Sequence, residues 1–166
     1  MKEPIQKQAF IQMLEAHKGL LYKIARSYTT TPADCQDLVQ EITLALWRSF
    51  EKYNQQYEYS TWIYRIALNV SISHLRKETR RIQSHALTED HLFLPIDTGG
   101  EDAAVNLLYS LIAALNPLDK AIMLLYLDEK SYREMAEILG LSESNIATKI
   151  SRIKEKWRQQ LNVKNT

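Results

Sequence analysis

The sequence predicts an all-α protein in which a flexible acidic linker joins two small helical domains. Only four glycines and four prolines occur among the 166 residues, so few positions interrupt a helix. Over most of the chain, apolar residues recur every three or four positions, which is the pattern of amphipathic helices. Residues 82–119 contain no lysine or arginine, and this change in charge indicates where one domain gives way to the next.

The first domain is predicted over residues 1–82 as a unit of three to four helices. The first helix is expected to be one long amphipathic helix. Its apolar stripe comprises Ile5, Ala9, Met13, Leu14, His17, Leu20, Leu21, Ile24, Ala25 and Tyr28. Thr31 is the predicted N-cap of the second helix, with Pro32 at the first helical position. Ser60 is the predicted N-cap of the third helix, which follows the loop YNQQYEYS.

The linker is predicted over residues 83–104 and the second domain over residues 105–166. Five acidic residues, one proline and a Gly–Gly pair occur in the linker, which favours a flexible tether. In the second domain, Asn116 and Pro117 are predicted to end one helix and to begin the next.

The stretch SYREMAEILGLSESNIATKISRIKEKWR, residues 131–158, has the pattern of a helix-turn-helix. Ser131 and Glu134 can form a capping box, and Gly140 suits a left-handed turn. The final helix is predicted from Ser142 to about Leu161. Its predicted outward side chains are Asn145, Thr148, Lys149 and Arg152. Basic residues outnumber acidic ones five to two in 142–162, as phosphate contact requires, although an ordinary helical hairpin with a solvated outer face shows the same pattern.

The first domain combines an acidic segment, a basic segment and an aromatic cluster. Acidic residues outnumber basic ones five to two in residues 34–58, and basic residues outnumber acidic ones four to one in HLRKETRR, residues 74–81. Complementarity to the helix dipoles explains the charges without any function. The clustered aromatic residues are Tyr53, Tyr57, Tyr59, Trp62 and Tyr64. Rings beside cations suit single-stranded nucleic acid, whereas packing in the core is the alternative for Trp62 and the loop tyrosines.

Three motifs together resemble a known family. In order, they are DCQDLVQEITLALWRSF, YSTWIYRIALNVSISHLRK and SYREMAEILGLSESNIATKISRIKEK. Their order and spacing resemble an extracytoplasmic-function sigma factor of the sigma-70 family, which has only regions 2 and 4. The resemblance covers about residues 5–162. It implies a protein that binds core RNA polymerase and directs promoter-specific transcription initiation, by reading the −35 duplex and melting the −10 element.

The resemblance also implies a role for particular side chains. The face expected to dock on the β′ clamp helices of core polymerase comprises Asp37, Gln40 and Glu41. The residues expected to bind the −10 element are Tyr57, Tyr59, Trp62, Asn69, His74, Arg76, Lys77 and Arg80. The residues expected to read the −35 element are Ser142, Asn145, Thr148, Lys149 and Arg152. The β flap of polymerase and an anti-sigma factor are further implied partners, and the acidic linker would thread the RNA exit path.

Several other classes of function are not supported by the sequence. Four histidines and one cysteine lack metal-ligand spacing, and the scattered glycines form no phosphate loop, so we expect no cofactor, no metal site and no enzymatic activity. Cys35, in the first turn of a helix, is a candidate redox sensor. One cysteine, no signal peptide and no apolar run of membrane-spanning length predict a cytoplasmic protein without membrane insertion.

Two alternative functions remain open at this point. One is a stand-alone helix-turn-helix transcriptional regulator with a helical sensor or dimerisation domain, which would bind a palindromic duplex without polymerase. The other is a coactivator or anti-sigma decoy that binds polymerase without opening DNA. The acidic helix followed by an aromatic and basic helix favours the sigma factor, because a simple regulator requires neither.

Overall fold

The computed structural model describes residues 2–85 and 102–164 and divides the chain into two compact units, Met1–Ile96 and Asp97–Thr166. We call them the N-terminal unit and the C-terminal unit. The described residues form eight helices and no strand, which confirms the all-α prediction. None of these helices has the length and apolar character needed to cross a membrane. Most of the predicted linker, residues 86–101, lies outside the described residues.

The N-terminal unit contains four helices. They are α1 (Lys2–Ala16), α2 (Lys18–Ser27), α3 (Pro32–Phe50) and α4 (Tyr59–His85). Helices α2, α3 and α4 contact one another and enclose the core. The buried apolar side chains of these three helices include Leu21, Ile24, Leu38, Ile42, Leu46, Ile63, Tyr64, Ala67, Leu68 and Leu75. Helix α4 is buried along a wide arc that includes Tyr64, Leu68 and Ser71, because both α2 and α3 pack against it.

The prediction of one long first helix is wrong, because the helix breaks at His17. This residue has φ −119° and ψ 17°, outside the helical range. Its side-chain Nδ1 lies 2.9 Å from the carbonyl oxygen of Met13, which also accepts the His17 backbone N–H at 3.1 Å. A side-chain bond to the preceding turn competes with the backbone ladder, and Gly19 lowers the helix propensity just beyond it.

The predicted stripe is also wrong over the first half of α1, although Met13 is buried as predicted. Ile5 is 73% exposed and Ala9 is exposed, whereas Phe10 is only 6% exposed. The Phe10 ring centroid lies 5.0 Å from that of Trp47 and 5.3 Å from that of Phe50. Because the break at His17 uncouples the rotation of α1 from that of α2, aromatic packing on α3 determines which side of α1 is buried.

The starts of α3 and α4 were predicted with different success. Thr31 Oγ1 accepts the Asp34 N–H at 3.1 Å and Pro32 opens α3, which confirms the predicted cap. Helix α4 begins at Tyr59, so Ser60 lies inside the first turn and is not the N-cap. The loop explains the earlier start, since the Tyr53 hydroxyl donates to the Tyr57 carbonyl and the Tyr53 ring stacks on Tyr59.

The C-terminal unit is organised around a central helix. Its elements are α5 (Ala103–Ala113), α6 (Pro117–Leu127), α7 (Tyr132–Leu139) and α8 (Glu143–Lys164). Helix α6 contacts the other three and buries every residue from 120 to 125. One of these is Lys120, which is 2% exposed, and burial lowers the pKa of its amine to about 8. Asn116 Oδ1 accepts the Asp119 N–H at 2.9 Å and Pro117 opens α6, as predicted.

Helices α7 and α8 form the predicted helix-turn-helix. The Ser131 Oγ accepts the Glu134 N–H at 3.1 Å, and the Ser131 N–H donates to the Glu134 carboxylate at 3.4 Å, which completes the capping box. Gly140 has φ 70°, so the left-handed turn is confirmed. Ser142 Oγ accepts the Asn145 N–H at 3.1 Å at the start of α8. The side chains buried between the two helices and α6 include Met135, Ile138, Ile146, Ile150 and Ile153.

Candidate polymerase-binding and DNA-binding surfaces

An exposed acidic face runs along α3. We use "acidic face" for Asp37, Gln40 and Glu41, which lie on one side of the helix at spacings of three and four residues and are all exposed. One turn further on the same side, Leu44 is 47% exposed. The sequence analysis did not identify Leu44 as a binding residue. The signal was present, because Leu44 falls outside the four-residue spacing of the core residues Leu38, Ile42 and Leu46 and is therefore expected to be exposed. The surface therefore combines negative charge with an apolar end, which suits a basic protein partner with an apolar contact.

The acidic face is connected to α4 through one side-chain contact. His74 Nδ1 lies 3.6 Å from the Glu41 carboxylate oxygen Oε2. The His74 side chain is 18% exposed, whereas that of Glu41 is 54% exposed. A residue predicted to bind polymerase and a residue predicted to bind DNA are thus neighbours.

The aromatic residues pack on one another at the start of α4. The Tyr53 ring stacks on Tyr59 with centroids 4.8 Å apart and lies 5.1 Å from the Trp62 ring. Tyr57, Tyr59 and Trp62 are half-buried, whereas Tyr64 is fully buried and belongs to the core. The pKa of the Tyr53 hydroxyl is raised, mainly by desolvation and to a smaller extent by electrostatic repulsion from Tyr59 and Glu58. The cluster therefore orders the loop and still leaves ring surface accessible for stacking.

A second exposed surface follows the length of α4. We use "α4 stripe" for Trp62, Asn69, Arg76 and Arg80, whose spacing of seven, seven and four residues places them on one side of a helix. Asn69, Arg76 and Arg80 are exposed, as is Lys77 on the edge of the stripe. At 3.6 residues per turn, His74 lies roughly 120° around the helix from Trp62, on the flank that meets α3. The structure thus brings all the predicted −10 residues except His74 onto the loop and one side of α4.

In the C-terminal unit, the exposed side of α8 carries most of the predicted −35 residues. Ser142, Asn145, Thr148 and Arg152 are exposed. Thr148 Oγ1 donates to the Ser144 carbonyl at 2.9 Å, so its hydroxyl is engaged within the helix.

Two of the lysines on α8 are half-buried and lie close to side chains of α6. Lys149 is half-buried, with Nζ 3.9 Å from Asp119 Oδ1. Lys154 Nζ donates to the Tyr126 hydroxyl and lies 4.3 Å from the centroid of that ring. The exposed positive charge on this helix is therefore smaller than the sequence count indicated.

The structure argues against a redox role for Cys35. Its side chain is 6% exposed, and burial raises the pKa of its thiol, a shift that a hydrogen bond with Thr29 and the charge of Arg26 only partly oppose. A buried thiol with a raised pKa carries little of the reactive thiolate. Among the residues that the structure describes, no three or more histidine, cysteine, aspartate or glutamate side chains form a group that could hold a metal ion.

Two family models match the two units. The model for "Sigma-70 region 2" matches residues 13–81, and the model for "Sigma-70, region 4" matches residues 106–156. The chain is 26% identical to the "ECF RNA polymerase sigma factor SigW" of Bacillus subtilis, over 92% of this chain and 89% of SigW. It is 27% identical to the "RNA polymerase sigma factor NccH" of Alcaligenes xylosoxydans, over 89% of this chain and 84% of NccH.

Two solved structures share the fold. One is CnrH in complex with the cytosolic domain of CnrY, with a TM-score of 0.68 and 22% identity over 95% of this chain and 90% of CnrH. The other is the sigma factor RpoE of Bartonella quintana in complex with the anti-sigma factor NepR. It has a TM-score of 0.69 and 24% identity over 95% of this chain and 96% of RpoE.

Proposed function

This chain belongs to the extracytoplasmic-function group of the sigma-70 family, and from that premise we propose which of its side chains bind RNA polymerase and which bind DNA. It is a promoter-directing initiation factor and not an enzyme. The match to region 2 removes the stand-alone regulator, because such a regulator does not need a polymerase-binding domain of this kind.

The acidic face is the proposed docking site for the β′ clamp helices of core polymerase. Asp37, Gln40 and Glu41 are exposed together, so a basic partner can approach all three without rearrangement of the core. We add Leu44 to this site, because its exposed side chain continues the same side of α3 and can be covered by an apolar residue of the partner.

The loop and the α4 stripe are the proposed binding site for the −10 element. The partly accessible rings of Tyr57, Tyr59 and Trp62 would stack on unpaired bases, while Arg76, Lys77 and Arg80 hold the phosphates. Asn69 lies between the two groups and would contact a base or sugar edge. Capture of unpaired bases stabilises the open state and so drives strand separation.

The exposed side of α8 is the proposed reader of the −35 element. Its N-terminal residues, Ser142, Asn145 and Thr148, would face base edges in the major groove, as in other helix-turn-helix proteins. Arg152 would contact a phosphate or a guanine, and Lys149 would have to leave Asp119 to do so.

The proposed partners follow from these surfaces and from the relatives. We propose core polymerase, through the clamp helices and the β flap, and promoter DNA. Because CnrH and RpoE were solved with the cytosolic domain of CnrY and with the anti-sigma factor NepR, we also propose an anti-sigma partner for this chain. Its place of action is then the cytoplasm, where bacterial polymerase works.

The observation that carries the proposal is that an acidic face and an aromatic, basic surface share one unit that matches region 2. The test is co-purification of the full chain with core polymerase. The variant Asp37→Lys, Glu41→Lys reverses two charges on the acidic face. The control Glu15→Lys, Glu51→Lys reverses two exposed acidic residues elsewhere in the same unit.

We expect stoichiometric binding by the wild type and the control, and loss of binding by the acidic-face variant. Circular dichroism of all three proteins checks that each is folded. Equal loss in both variants would show that overall charge, and not this face, determines binding. Absence of binding by folded wild-type protein at micromolar concentration would refute the proposal.

A further inference from the structure

The contact between His74 and Glu41 joins two surfaces that have different proposed tasks. We propose that His74 is a positioning residue for polymerase docking, because its imidazole holds the Glu41 carboxylate in place on the acidic face. The inference rests on the proposed docking role of Asp37, Gln40 and Glu41, and it takes His74 out of the set of −10 contacts.

The position of His74 on α4 supports this assignment. The exposed residues of the α4 stripe lie on one side of the helix, and His74 lies roughly 120° away from that side. Its side chain is only 18% exposed, and its Nδ1 lies 3.6 Å from Glu41 Oε2. A nucleic acid that lies along the stripe would therefore meet Asn69 and Arg76 but not the His74 ring.

The properties of Glu41 explain why such a contact matters. Its side chain is long, flexible and 54% exposed, so docking on a partner must fix several rotatable bonds at a cost in side-chain entropy. His74 is held on a rigid helix and restricts those bonds before polymerase arrives. A carboxylate has two oxygen atoms with four lone-pair sites, so Oε2 can stay near His74 while the carboxylate still accepts a cation of the partner.

Three substitutions of His74 separate positioning from packing. His74→Ala removes the ring. His74→Asn puts an amide nitrogen close to the place of Nδ1, and His74→Gln puts it further out, close to the place of Nε2. The Kd of each full-length variant for core polymerase is measured at one fixed pH and salt concentration, and the thermal unfolding of each is recorded. We expect the alanine and glutamine variants to bind about threefold to tenfold more weakly, from the rotamer entropy of one side chain, and the asparagine variant to bind like wild type.

A double-mutant cycle with Glu41→Ala gives the decisive comparison. We expect His74→Ala to weaken binding in the wild-type background and to have no further effect when Glu41 is absent. At saturating core polymerase, we expect His74→Ala to open promoter DNA as well as wild type does, whereas Arg76→Ala opens less.

Three outcomes would overturn the inference. These are an equal effect of His74→Ala with and without Glu41, failure of the asparagine variant to retain binding, and a promoter-opening defect of His74→Ala at saturating polymerase. If Glu41→Ala weakens binding and His74→Ala does not, only this inference fails. If Glu41→Ala binds like wild type, the proposed docking face fails together with it.

Discussion

The two units place their candidate binding residues in different ways. In the C-terminal unit, the proposed −35 residues lie on one side of a single helix, α8. Ser142 caps its start, and the buried side chains of Ile146, Ile150 and Ile153 determine which side of the helix faces solvent. In the N-terminal unit, the proposed sites extend over α3, α4 and the loop between them, and a contact between two helices connects them. One surface follows from local helix rules, whereas the other depends on tertiary packing.

The largest expected effect tests the role of tertiary packing in the N-terminal unit. Phe10→Ala removes a buried ring from contact with Trp47 and Phe50 and should lower the free energy of unfolding by about 3–5 kcal/mol. Ile5→Ala, on the exposed side of the same helix, should change it by less than about 0.5 kcal/mol. Urea unfolding measures both, and equal effects would show that α1 buries a different side.

The next largest expected effect concerns a buried charge in the core of the C-terminal unit. The pKa of Lys120 falls from 10.5 to about 8 through burial, so the folded state disfavours the charged amine. This penalty is fully present below pH 8 and is relieved as the pH rises towards 10.5, so it makes the unfolding free energy rise over that window, by up to about 3 kcal/mol. Lys120→Met should lack this rise. Parallel pH profiles of the two proteins would contradict the prediction.

A smaller effect tests which basic residues of α8 reach DNA. Arg152 is exposed and Lys149 is engaged with Asp119, so Arg152→Ala should weaken promoter binding by about 1–3 kcal/mol and Lys149→Ala by less than about 1 kcal/mol. The measurement is the Kd of holoenzyme for a promoter duplex selected from a random library, at two salt concentrations. A larger loss for Lys149→Ala would mean that this lysine leaves Asp119 on DNA binding.

The smallest effects compare one glycine in each unit. Apart from its chain neighbours and the adjacent turns of its own helix, a Cβ at Gly140 or Gly19 would meet no atom within 4 Å, so only backbone conformation separates the two sites. Gly140 has φ 70°, and Gly140→Ala should destabilise the protein by about 1–2 kcal/mol. Gly19 is helical, and Gly19→Ala should stabilise it by about 0.5–1 kcal/mol. Thermal unfolding measures both effects, and a change in stability of the same sign for the two substitutions would refute this account.

The same contrast explains how far the sequence could predict the structure. Caps and the left-handed glycine act over a few residues, so Thr31, Asn116, Ser131 and Gly140 were predicted correctly. The burial of Phe10 and the early start of α4 arise from contacts that are formed only in the folded unit, and no local pattern reveals them. The break at His17 has local contributors, the His17 contact with Met13 and the low helix propensity of Gly19, but the apolar periodicity continues across it and hides it.

The candidate sites divide in the same way. Exposure of Asn145 and Arg152 followed from helical spacing, whereas that of Asp37, Gln40 and Glu41 was implied by the family resemblance. The engagement of Lys149 with Asp119 and of His74 with Glu41 joins residues that are distant in the sequence, and spacing within one helix cannot predict it. The functional role of each residue stays a prediction until the binding experiments are done.

The separation of His74 from the α4 stripe has a consequence for engineering. Because the stripe and the flank occupy different sides of one helix, the exposed stripe positions Asn69, Arg76 and Arg80 can be randomised as a library. Trp62, which packs on Tyr53, is kept together with His74 and the acidic face. Variants selected for new −10 sequences should then remain compatible with the same polymerase, and several could operate side by side in one cell as orthogonal regulators.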